Sequence, residues 1–124
     1  LTDSSAASDV YKRQDKVDAP SGTALMLGEA AARGKGKSLS ELRGAVRDGI
    51  LDGREKGSIG FASLRGGGVV GEHEVSFTSD SERISIKHEA FSRDIFVNGA
   101  IKAALWSKEK DPGLYDMLNV LNLR

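Results

Sequence analysis

The sequence predicts a chain of both helices and strands, set in separate runs along its length. Three observations carry this reading: a helical repeat that starts after Pro20, a switch to a two-residue repeat at Gly57, and a return to helical spacing beyond Arg93. At 124 residues the chain fits one domain of ordinary size, long enough for a real core but short for separate cofactor and substrate domains.

The first helix grows out of "DKVDAPSGTALMLGEAAA", residues 15–32. Pro20 favours extended backbone before it, Ser21 or Thr23 can cap the start, and Glu29 is expected early in the helix. Leu25, Met26, Ala30 and Ala31 recur at helical spacing. The helix is expected to end in "RGKGKS", residues 33–38, where two glycines and basic side chains suit a C-terminus. The GKS there is no phosphate loop, because Ala31 stands where the motif needs its first glycine. Residues 38–56 read as a charged, glycine-punctuated loop with a short strand around Ala45 and Val46.

From Gly57 the alternation predicts three strands. "SIGFASLR" is the most apolar. His73, Val75 and Phe77 share one face of "EHEVSFTS", and Ile84, Ile86 and His88 share one face of "ERISIKHEA". The turn cluster "SDSE" joins the last two into an antiparallel hairpin. Strands polar on one side imply a sheet with one buried face and one that is solvated or joined to another subunit. Gly66, Gly68 and Gly71 satisfy G-x-G-x-x-G, but a strand follows where a dinucleotide fold needs a helix, so a β connection is expected. Beyond Arg93, Val97, Ala100, Ile101, Ala104 and Leu105 line one side of a helix, "DPG" breaks it, and "LYDMLNVLNL" forms a short apolar end. These last elements need an apolar partner. At the other end, residues 1–15 begin without Met, show no sustained period and lack the apolar core of a signal peptide; they read as an unstructured or foreign leader.

Composition narrows the function. Lys plus Arg equals Asp plus Glu at 18 each, so no overall field favours nucleic acid or an anionic membrane. The basic Lys12, Arg13 and Lys16 have only Tyr11 as an aromatic neighbour, unlike a nucleic-acid patch. Cysteine is absent, which removes disulfides and thiolate metal sites and fits the cytosol. No apolar run approaches the ~20 residues of a membrane helix. Apolar residues at 39% and 15 glycines suggest many turns or a chain missing part of its core. His73 and His88, without a carboxylate or cysteine at ligand spacing, read as packed side chains rather than metal ligands.

The strongest local candidate is the helix start. The amides of Ser21, Gly22 and Thr23 point out of an end that carries about half a positive charge. A carboxylate or phosphate would meet oriented donors and the Thr23 hydroxyl. Gly22 permits close approach, and Lys16 can supply a cation or a proton. From the residues alone, a plain capped helix stays open as the other reading.

"KVDAPSGTA" resembles the signature of the C-terminal domain of dihydrodipicolinate reductases. The likeness continues through "GSIGFASLRGGGVVGEHEVSF", "ERISIKHEAFSR", "FVNGAIKAALW" and "PGLYDMLNVL", and so runs from Lys16 to Arg124. The resemblance implies an α+β fold, an open mixed β-sheet with helices on one face, that also builds a homotetramer. It implies reduction of a cyclic unsaturated dicarboxylate by hydride from NADH or NADPH in the cytoplasm, on the diaminopimelate route to lysine. By motif, Lys16 matches the family's proton-donating lysine, and Gly22 and Thr23 match the pair that binds a substrate carboxylate. Residues 16–93 correspond to the substrate-binding and oligomerisation domain. Residues 94–124 correspond to the segment that packs on the nucleotide-binding domain.

Two departures stand out. The family carries adjacent histidines where this chain has Lys12 and Arg13, and no Rossmann domain precedes the motif. The expectation is therefore a reductase truncated at its N-terminus, holding no nicotinamide tightly and inactive alone. The alternative is a non-catalytic dicarboxylate-binding or assembly module.

Overall fold

The computed structural model describes residues 4–12 and 17–124, with side chains described from 17 onward. It divides into two compact units, Leu1–Phe91 and Ser92–Arg124. The first is a four-stranded sheet built from β1 (Ser4–Lys12), β2 (Ile59–Arg65), β3 (Gly71–Thr78) and β4 (Arg83–Ala90), with α1 (Gly22–Gly34) and α2 (Leu39–Leu42) between β1 and β2. The strand order is β2-β1-β3-β4. β1 runs parallel to β2 and antiparallel to β3, and β3 and β4 form an antiparallel hairpin. The sheet is therefore mixed.

Within residues 1–15, expected to be an unstructured or foreign leader, Ser4–Lys12 forms the strand between β2 and β3; residues 1–3 and 13–15 lie outside the described residues. A run rich in Ser, Ala and Asp has little strand preference of its own. Here it gains a backbone ladder on both sides, from Ser5↔Ile59 to Ser8↔Ala62 on one and from Ser4↔Thr78 to Ser8↔Glu74 on the other. The short strand expected around Ala45 and Val46 is also absent. An isolated bridge pairs Arg43 with Ile59, and extended loop follows it.

The β3–β4 register matches the sequence pattern. His73 stands opposite His88, Val75 opposite Ile86, and Phe77 opposite Ile84. Directly opposed residues share a face, so the apolar face is continuous across the hairpin. Its turn is closed by Ser79, whose amide donates to the Glu82 carbonyl (2.8 Å) and whose Oγ accepts from the Ser81 and Glu82 amides. The other face is polar. Lys87 bridges Glu72 at 2.6 Å and Glu89 at 3.5 Å, while Ser76 reaches both Ser85 and Glu74.

The core lies where α1 and α2 cover the apolar face. Ala31, Ala32 and Ile59 are its centre, with Leu39, Leu42, Phe61 and Phe77 packed around them. The buried stripe of α1 is Ala24, Gly28, Ala31 and Ala32, a helical spacing of small residues; of the apolar positions noted at helical spacing, Ala31 is buried while Met26 and Ala30 are exposed. Gly28 explains the choice. A Cβ there would sit 2.5 Å from the end of the Phe61 ring, so its absence lets the aromatic side chain lie against the helix.

The second unit contains α3 (Asp94–Ser107) and α4 (Met117–Val120). Trp106 meets Tyr115 edge-on at 5.1 Å between ring centres, and Lys110 lies over the Trp106 ring. Asp116 caps α4, accepting from the Asn119 amide at 3.2 Å. Neither helix buries a side chain, and Val97, Ile101 and Leu105 stay more than half exposed.

Candidate functional site: the amino end of α1

Ser21 takes extended backbone geometry and its Oγ accepts from the Ala24 amide at 3.2 Å. Its carbonyl accepts the first helical bond, from Leu25 at 3.0 Å. Ser21, not Thr23, is thus the cap, and it is almost fully buried. Capping uses the third helical amide. The first two, on Gly22 and Thr23, take no acceptor among the described residues, and both residues are exposed.

Two further features leave this end open to an anion. No acidic residue stands in the first turn of α1, so that turn does not itself neutralise the positive end of the helix dipole; Glu29, expected early, sits in the middle of the helix. Gly22 has no positive φ, and a Cβ built on it would meet nothing within 4 Å. Among the described residues, neither backbone strain nor packing requires glycine there.

The approach to the site is tied down from β2. Arg65, the last residue of that strand, donates from Nη2 to the carbonyl of Asp18, two residues before Pro20. The Ala19–Pro20 peptide is cis. Sequence reasoning passed over Arg65; its position, closing an apolar strand just before three glycines, was the available signal. Lys16 and Arg13 lie outside the described residues, as does the side chain of Lys12. The structure therefore brings Gly22 and Thr23 together at one helix end and leaves the position of Lys16 aside.

Other candidates fall away. Gly66, Gly68 and Gly71 connect β2 to β3, with Gly67 at φ +56°, and no helix follows to receive a pyrophosphate. This connection thus does not have the strand–turn–helix form of a dinucleotide cradle. Among them, no three His, Asp or Glu residues converge on a metal site, and no helix is long and apolar enough to cross a membrane. A cleft of about 370 Å³ lined by Arg43, Arg47, Arg54 and Ser58 follows the 43–60 loop and includes none of Ser21, Gly22 or Thr23. The resolved charge perturbations also lie elsewhere. Hydrogen bonds from Ser76 and Ser85 hold the Glu74 carboxyl below its ordinary range, and the Glu72 contact raises Lys87. The Ser38 hydroxyl and amide lower Glu41 at the start of α2.

Comparison with known proteins assigns the chain. Residues 10–121 match the family model described as dihydrodipicolinate reductase, C-terminus. The chain belongs to this family. The match begins upstream of Lys16, so the likeness extends further towards the N-terminus than the motifs alone suggested. Curated relatives named 4-hydroxy-tetrahydrodipicolinate reductase include one from Roseobacter denitrificans, 58% identical over 109 residues, covering 88% of this chain and 40% of the relative. Another, from Cereibacter sphaeroides, is 60% identical over 108 residues, covering 87% of this chain and 40% of the relative. The chain therefore spans about 40% of the length of these relatives. A solved dihydrodipicolinate reductase from Paenisporosarcina sp. TG-14, described as dipicolinate-bound, shares the fold at a TM-score of 0.56. It is 21% identical, and the alignment covers 78% of this chain and 37% of that one.

Proposed function

We propose that this chain is the substrate-binding and assembly part of an NAD(P)H-dependent 4-hydroxy-tetrahydrodipicolinate reductase of lysine and diaminopimelate biosynthesis, working in the cytoplasm. The observation that carries the proposal is the amino end of α1. A buried serine caps it, its first two amides are exposed, and no acidic side chain of its own first turn competes for it.

A substrate carboxylate accepts from the Gly22 and Thr23 amides and from the Thr23 hydroxyl, close to the helix axis where Gly22 offers no Cβ. This fixes the ring of a cyclic dicarboxylate against the protein. Lys16 then delivers a proton to the atom that gains electron density during reduction. The nicotinamide supplies hydride when bound, and residues outside this chain hold it, since the glycine-rich connection here runs into a strand. Residues 16–93 bind substrate and associate with further copies through the sheet, towards a tetramer. Residues 94–124 present the apolar side of α3 to a nucleotide-binding domain. The lack of a dinucleotide cradle among the described residues favours one alternative, a module that binds dicarboxylate without turning it over.

Titration of the purified chain with pyridine-2,6-dicarboxylate tests the cradle. We expect saturable binding that weakens about tenfold or more in Thr23→Val, as loss of a hydrogen bond to a charged group implies. Equal affinity in Thr23→Val, or no binding by the parent chain, overturns the carboxylate assignment. Turnover of substrate with NADPH by the chain alone overturns the assignment of nicotinamide binding to residues outside it.

A further inference from the structure

One face of β2 follows α1 backwards, from its last turns to a point ahead of its first residue. Side chains alternate along a strand, so Ile59, Phe61, Ser63 and Arg65 share a face. Ala62 and Leu64, between them, are exposed. Ile59 packs with Ala31 and Ala32, Phe61 lies against Gly28, and Arg65 reaches Asp18, four residues before Gly22. The strand that supports the helix from below therefore also takes hold of the chain that leads into it.

Arg65 is itself fixed from two sides. Its Cα partner in β1 is Lys12, where that strand ends. Its Nη1 donates to the Leu64 carbonyl at 3.1 Å and its Nη2 to the Asp18 carbonyl. A planar fork that spends one arm on its own strand has little freedom to turn the other. The chain thus leaves the sheet beside Arg65 and is met again by the Arg65 guanidinium at Asp18. Ala19 and Pro20 then make no hydrogen bond among the described residues. The next anchored residue is Ser21, buried and capping α1. The direction in which Gly22 and Thr23 present their amides is set from these two points, one on each side of Pro20.

We propose that Arg65 is a positioning residue for the dicarboxylate. It touches no part of the ligand. Through the Asp18 carbonyl it holds the start of α1, so that the Gly22 and Thr23 amides and the Thr23 hydroxyl converge on one carboxylate. Donors already in place spare the ligand the cost of ordering them. The inference rests on the reading of this helix end as a carboxylate cradle, and it names what keeps the cradle in shape.

Arg65→Met keeps most of the length of the side chain and removes its donors. In the variant, shown folded by circular dichroism, affinity for pyridine-2,6-dicarboxylate should fall about tenfold. In the ligand-free chain, the backbone order parameters of Gly22 and Thr23, measured by NMR relaxation, should fall from about 0.85 to about 0.6. The two residues should also be coupled. Thr23→Val, expected to weaken binding about tenfold in the parent, should weaken it no more than about threefold in Arg65→Met, because the hydroxyl it removes is already out of place. If Arg65→Met does not fold, Arg65→Lys takes its place with changes of the same sign, since an ammonium keeps the charge but cannot fork between two carbonyls. A folded variant with the parent's affinity, or an equal cost of Thr23→Val in both backgrounds, overturns the proposal. Lowered stability with unchanged order parameters at Gly22 and Thr23 does the same, because it leaves Arg65 a merely structural residue. A parent chain that binds no dicarboxylate overturns the carboxylate reading instead, and the order parameters then decide by themselves whether Arg65 holds the helix start.

Discussion

α1 and α3 are helices of 13 and 14 residues with apolar positions at the same repeat, yet they are used in opposite ways. α1 turns small residues inward, and Ala24, Gly28, Ala31 and Ala32 bring its backbone close to the sheet. α3 carries the bulkier stripe, with Ile95, Phe96, Val97, Ile101 and Leu105 all more than half exposed. Side-chain size therefore does not decide which helix belongs to a core. What decides is whether the surface opposite matches: the Phe61 ring fills the notch at Gly28, and nothing in the second unit fills the spaces along α3.

The sharpest way to break this contrast is to empty the first core. Ile59 is fully buried where β2 meets α1, so Ile59→Ala should cost about 3 kcal/mol, read from denaturant unfolding followed by circular dichroism. An effect under ~1 kcal/mol would mean that α1 is not held by this contact. Filling the notch tests the same fit from the other side. Gly28→Val must displace Phe61 and should destabilise by about 1–3 kcal/mol, although valine favours a helix slightly over glycine. If the variant were more stable than the parent, close approach would not be the reason for glycine at this position. In α3 the same kind of test should give little: Ile101→Ser is expected to change stability by less than ~0.5 kcal/mol, with Trp106, the only tryptophan, reporting on that unit by fluorescence.

The smallest effect concerns pH. Glu41 and Glu74 both have carboxyls held below the ordinary value of 4.5 by hydrogen bonds, so their contribution is present above that value and fades as the pH falls through the lowered one. Glu41→Gln and Glu74→Gln should therefore lower the melting temperature slightly near neutrality and leave it unchanged at the acid end, which flattens the acid limb of the profile. Both residues are in the first unit. A parent profile that is flat down through the acid range would remove this distinction between the units.

Much of this was legible in the residues. Alternation in "EHEVSFTS" and "ERISIKHEA" placed the hairpin and its faces, and Ser21 beside Gly22 placed the start of α1. The central strand was not, because Ser4–Lys12 carries no alternation to read and is specified by ladders to strands far along the chain. The inward face of α1 was only partly legible, for a related reason. Hydrophobicity alone favoured Leu25 and Met26, whereas closeness to the sheet favoured alanine and glycine, which patterning barely registers. The candidate site was half legible. Gly22 and Thr23 follow from the cap, while the Arg65 tie to Asp18 joins residues far apart in sequence and has no local signature.

The position of β1 also governs how the chain reaches this fold. β1 precedes the other three strands in the sequence yet lies between two of them, whose pairing residues follow only at Ile59 and at Thr78. Both ladders close long loops, so their entropy must be met before any pairing is rewarded. The β3–β4 hairpin and α1 need no such closure and can form locally. The two ladders of β1 are accordingly the least local part of the fold, whereas the hairpin and α1 close within short spans of chain.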